Sequence, residues 1–237
     1  MASGEPGVGP LVHRTVREAG VVWILASVQF VVAMVVTQLG WSAAHPYSLK
    51  NNYISDLGNT ACGYFPSGST TYVCSPWHNV FNGSVTFLGL LVIFGALTVP
   101  TAFVASRLRT AGLALVVLAG VGAAGVGVFP ENVNGTVHGL ASALAFVAGG
   151  LALLVLGAAM VGDRRWDGGY RGFSFVLGVV TLAATGLFLT GVDLGLGVGG
   201  MERLIVAPLL LWLVVGSVHL LRLRAYAPSV LPGVAGS

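Results

Sequence analysis

Apolar residues run in long blocks separated by short polar intervals, and these blocks set the elements the chain predicts. Six cover roughly 20–41, 80–105, 110–129, 137–161, 173–192 and 204–221, with no Asp, Glu, Lys or Arg inside any of them. A span of the hydrocarbon needs about 20 mostly apolar residues, so each block is long enough to cross. Lipid offers no partner for unpaired backbone groups, and the alternation of a barrel is absent, so the blocks predict helices. The expected fold is an all-α polytopic membrane protein, six transmembrane helices in one bundle.

The arginines orient it. Arg14 and Arg17 precede the first block, Arg107 and Arg109 follow the second, Arg164, Arg165 and Arg171 follow the fourth, and Arg222 and Arg224 follow the sixth. Nine of the eleven basic residues thus fall on alternate connections, leaving only Lys50 and Arg203 for the other side. The positive-inside rule then places both N- and C-termini in the cytoplasm of a multi-pass cell-membrane protein. The expected organisation is a cytoplasmic tail over 1–19, a six-helix domain over 20–221 and a second cytoplasmic tail over 222–237, with loops 42–79, 130–136 and 193–201 extracytoplasmic. Residues 1–19 are polar and the first apolar run is too long for a signal-peptide core, which predicts an uncleaved first span.

Composition agrees: 55% of the 237 residues are hydrophobic and 8% charged, against about 25% charged in soluble domains. The net charge of +3 comes from arginines at helix ends, so nucleic acid is excluded as a partner. Membrane lipids and a small amphiphilic ligand are the expected partners.

The longest polar interval, 42–79, holds the only two cysteines, Cys62 and Cys74. An extracytoplasmic loop is oxidising, so a disulfide is expected; a zinc pair would lack the Cys-x-x-Cys spacing. Ser75-Pro76 reads as a helix cap followed by Pro at the first helical position, and Asn134 as a cap for the fourth helix. Gly120, Gly122, Gly125 and Gly127 imitate a dinucleotide fingerprint, but no strand precedes them. Small residues at that spacing instead let membrane helices approach closely.

Asp56, His78, Glu131, His138, Glu202 and Arg203 come from all three connections on the outer side, each within about a turn of a block boundary. If one bundle gathers them, they form a rim. Arg203 would be the anchor for an anionic head group, since a guanidinium offers a planar fork to phosphate or carboxylate. Glu202, Ser55, Asn82 and Trp77 complete the ligand-binding candidates. The alternative is a lipid-directed hydrolase or transferase using His78 and His138 with Asp56 or Glu131 as acid and base, or a divalent metal held by those groups, though the sequence requires none. A third reading is structural: Arg203 paired with Glu131 or Asp56, and the histidines bonded to backbone carbonyls. The intramembrane hydrolases related to alkaline ceramidase combine Ser and Asp with three histidines, but this chain lacks their closing His-x-x-x-His and has one span fewer. Ion-coupled transport is disfavoured, because the helix centres carry only mild polar groups such as Gln29 and Thr181.

Four motifs carry a resemblance: Asn52-Tyr53-Ile54-Ser55-Asp56-Leu57-Gly58, His78-Asn79, Gly127-Val128-Phe129-Pro130-Glu131 with His138, and Gly200-Met201-Glu202-Arg203. In these the chain resembles the domain of unknown function 998 family of bacterial and archaeal multi-span membrane proteins. The resemblance would extend from Val21 to Leu221 and implies a multi-span membrane protein with these rim residues grouped. It brings no reaction with it. The expected function is an outward-facing polar pocket that binds or senses an anionic amphiphile or lipid head group.

Overall fold

With no water to satisfy it, each apolar block closes its backbone on itself, and six helices result. The computed structural model describes residues 10–65 and 71–223. The helices are α1 (Pro10–Leu39), α2 (His78–Thr98), α3 (Arg107–Val128), α4 (Gly135–Ala159), α5 (Gly168–Leu189) and α6 (Gly197–Leu223). Among the described residues all six are long and apolar enough to cross a membrane, and no strand occurs. Consecutive helices pack side by side and α1 also packs on α6, which closes a ring, while α4 touches α6 only lightly.

Several boundaries differ from the expected blocks for local reasons. α1 starts at Pro10 rather than near 20, so the expected tail is partly helical; an Arg14–Glu18 pair at 2.8 Å, one turn apart, supports the early turns. α2 stops at Thr98 instead of 105 because Pro100 cannot continue it. α5 starts five residues early, where Asp167 accepts the Tyr170 N–H at 2.7 Å. α6 starts seven residues early, after a turn with Leu194, Gly195 and Gly197 at positive φ. Asn134 caps α4 as expected, accepting from the Val137 N–H. Ser75 does not cap α2: it is buried, and its hydroxyl donates to the Leu57 carbonyl at 2.7 Å. The tail residues 224–237 lie outside the described residues.

The glycines of α3 make the contacts their spacing implied. A Cβ on Gly122 would sit 2.5 Å from the Ala145 nitrogen and 2.6 Å from the Ala141 oxygen of α4. A Cβ on Gly120 would sit 2.8 Å from the Gly89 oxygen of α2. Polar ties cross between other helices: Ser84 Oγ donates to Gln29 Oε1 at 2.8 Å, and Trp212 Nε1 donates to Ser174 Oγ at 2.8 Å. Such bonds fix helix register where lipid supplies no alternative partner.

The loops gather in two sets. At the end where α1 begins and α6 stops, the Asp163 carboxylate accepts the Val104 N–H, and Trp166 stacks on Phe103 and on His219. At the opposite end the connections 40–77, 129–134 and 190–196 meet. Cys62 and Cys74 form a disulfide there, beside a two-residue antiparallel bridge between Gly63 and Val73.

Candidate functional site

The long connection is shaped from within by Asn52. Its amide oxygen accepts the Ser48 N–H at 3.0 Å, and its amide nitrogen donates to Asp56 Oδ2 at 2.9 Å and to Thr71 Oγ1 at 3.0 Å. Asp56 Oδ2 also accepts the Tyr53 N–H at 3.0 Å, which winds Ser55–Gly58 into one short 3-10 turn. Asp56 is fully buried, and its second oxygen has no hydrogen-bond partner among the described residues. Burial, with the nearby Glu131 charge adding, pushes its carboxyl from the ordinary 3.8 up to about 6, against the lowering pull of Asn52 and the Tyr53 N–H. Asn82 closes the turn from α2, donating to the Gly58 carbonyl at 2.8 Å.

Four long-range contacts dock this turn onto the other two connections. The Ile54 N–H donates to Glu202 Oε2 at the start of α6. Ser55 Oγ donates to Glu131 Oε2 in the α3–α4 turn at 3.1 Å. Thr60 and Asn132 exchange two hydrogen bonds, at 3.1 and 3.0 Å. The Gly199 N–H donates to the Lys50 carbonyl at 2.9 Å, an approach that leaves no room for a side chain, since a Cβ would lie 2.1 Å from the Asn52 oxygen.

Arg203, the expected anion anchor, spends its donors within the protein. Its Nη1 donates to the carbonyls of Leu49, Asn52 and Gly199 at 3.0, 3.2 and 2.8 Å, and its Nη2 to the Tyr47 hydroxyl at 2.6 Å. The Tyr47 hydroxyl in turn donates to the Tyr53 carbonyl at 2.7 Å. The fork therefore ties backbone turns together. Nor does it pair with Glu131 or Asp56: the ion pairs among the described residues are Arg14–Glu18, Arg165–Asp163 and His219–Asp167.

Beneath the docked turn lies a cavity of about 130 Å³ between α2, α3, α4 and α6. Its walls are mostly apolar, with Phe81, Val116, Leu153 and Trp212 among them, and Ser55, Ser142 and Glu202 supply the polar side chains.

The remaining candidates stand apart. His78 Nδ1 lies 2.9 Å from the Ser75 carbonyl and His138 Nδ1 lies 2.9 Å from the Phe129 carbonyl. A carbonyl only accepts, so each ring carries its proton on Nδ1. Neither histidine is hydrogen-bonded to Asp56 or Glu131, and no group of three or more His, Cys, Asp or Glu among the described residues is disposed to hold a metal. Trp77 is 47% exposed, and its ring lies against Gly40 at the end of α1 instead of lining the cavity.

Asn52 and Tyr47 were not singled out individually from the sequence, although Asn52 opens the most conspicuous motif. An Asn four residues before an Asp in a loop was the available signal. Of the cavity lining, Ser55 and Glu202 were among the sequence candidates, whereas its apolar wall carried no signal that sets it apart from any other helix face.

A family model described as Protein of unknown function (DUF998) matches residues 24–219. No curated protein and no solved structure matches the chain.

Proposed function

This chain belongs to the DUF998 family, and we propose that it acts as a binding module for a lipid-like molecule taken from the outer leaflet. The arginine bias puts the disulfide end outside the cell membrane. The ligand's chain would enter the bundle cavity and its head would sit under the docked turn at Ser55, Glu131 and Glu202. The observation that carries this reading is the cavity itself: apolar walls that end on a carboxyl and a hydroxyl.

Size sets what can enter. A dry apolar cavity of about 150 Å³ takes a benzene ring, so about 130 Å³ holds part of a chain and the remainder must leave between helices. Bilayer tails are as apolar as the cavity wall, so chain burial discriminates little. Selectivity falls to the head group.

The test fills the hole. Ala123 lines the cavity on α3, and Ala123→Phe occupies the space without touching the rim. Native mass spectrometry of purified protein is expected to show a lipid-like adduct on the natural chain and its loss in the variant. Equal adducts on both would remove the reading.

One observation favours a second reading, a hydrolase or transferase. Ser55 Oγ lines the cavity and donates to the Glu131 carboxylate, which is the reach a nucleophile and base require. A fluorophosphonate probe that labels the natural chain but not Ser55→Ala supports it; no labelling sinks it.

A further inference from the structure

Three carboxyls lie at or near the polar end of the cavity, and the one cation whose charge reaches them, Arg203, forms no ion pair with any of them. Glu202 is 8% exposed and lines the cavity; its Oε2 is committed to the Ile54 N–H, while no hydrogen bond among the described residues reaches its Oε1. Glu131 sits across Ser55 from it, and Asp56 lies fully buried in the same turn with one oxygen unpartnered. None of the three forms an ion pair among the described residues. Arg203 follows Glu202 in the chain, yet four of its contacts are to carbonyls and the Tyr47 hydroxyl, and it does not line the cavity.

A buried carboxylate without a counter-charge is costly, and a cation brought by a ligand offsets that cost. An anionic head would instead bring its charge against three carboxyl groups. An ammonium carries three donors and no acceptor, which suits a site whose open atoms are carboxyl oxygens. We propose that the occupant of the cavity is a single-chain amphiphile with a cationic amine head, the ammonium received by Glu202 Oε1 with Ser55 and Glu131 beside it. The chain then runs along Phe81, Val116 and Leu153 toward Trp212. This rests on the cavity reading above and assigns its head-group class.

The experiment uses the full chain in phosphatidylcholine nanodiscs at pH 7. Tetradecylamine, tetradecanol and tetradecyl phosphate are titrated separately, corrected for uptake by empty nanodiscs, and bound ligand is counted by native mass spectrometry. The amine is expected to bind at least tenfold more tightly than the alcohol, with the phosphate weakest. Glu202→Gln is expected to erase the difference between amine and alcohol. Glu131→Gln keeps the Ile54 anchor, should narrow the difference, and serves if Glu202→Gln fails to fold. Equal amine and alcohol affinity in the natural chain, or tighter phosphate binding, overturns the cationic head and leaves the cavity reading standing. If none of the three binds, the cavity reading falls and this inference with it.

Discussion

Ile54 and Glu202 are 148 residues apart in the chain, and the Ile54 backbone N–H donates to the Glu202 carboxylate. That bond joins the long loop to the first turns of α6 above the cavity. Its neighbours Ser55 and Arg203 extend the same seam on either side, to Glu131 and to the carbonyls of Leu49 and Asn52. The loop is therefore a fitted cover.

Arg203→Ala leaves three carbonyls and the Tyr47 oxygen without their donor. An unsatisfied buried group costs about 1–3 kcal/mol, and part exposure here puts the expected loss near the lower end. Arg203→Lys should recover little, since one ammonium cannot reproduce a planar fork. Thermal denaturation in detergent reads both. A variant as stable as the natural chain would dismiss the clamp.

Asp56 makes stability depend on pH. Its carboxyl is raised from 3.8 to about 6, so the folded chain holds this proton more tightly than the unfolded one. The contribution is fully present below about pH 4 and is lost as pH rises through about 6. A shift of about two units corresponds to roughly 3 kcal/mol. Asp56→Asn removes the titration while keeping an acceptor for Asn52 and Tyr53. It is expected to raise the melting temperature at pH 8 and to change little at pH 4, and equal effects at both would count against the assignment.

The α3–α4 seam can be tested with two glycines. Gly122→Ala drives a methyl into the α4 backbone, where overpacking costs about 1–3 kcal/mol. Gly139 in α4 faces open space, so Gly139→Ala should be neutral or gain up to about 1 kcal/mol of helix propensity. Denaturation of the two variants side by side separates close approach from mere loss of glycine. Indistinguishable melting curves would show that the seam tolerates a Cβ.

Sidedness is open to direct measurement. A green fluorescent protein fused after Ser237 is expected to fluoresce and an alkaline phosphatase fused there to be inactive, as a cytoplasmic C-terminus requires. Opposite signals would invert the topology. Reduction of Cys62–Cys74 is expected to lower stability by about 3 kcal/mol, the chain-entropy value for a loop of this size.

How much was legible in the sequence differs from residue to residue. The Asn134 cap and the tight α3 glycines were readable because a cap and a close approach involve neighbours in the chain or a fixed helical spacing. Ser75 was misread for the same reason in reverse: its local signature was that of a cap, but a carbonyl eighteen residues earlier took the hydroxyl. Arg203 likewise looked free because its four acceptors and one ring contact lie at Tyr47, Leu49, Asn52 and Gly199, mostly in another loop.

The sequence by itself determined six spans and the family, because hydrocarbon thickness and backbone satisfaction act on each segment separately. The tertiary structure alone decided which acids meet, that Arg203 donates to carbonyls of another loop, and that a hole lies beneath Ser55 and Glu202. Those outcomes depend on how three distant connections fit over one bundle end, and no short stretch of chain holds that information.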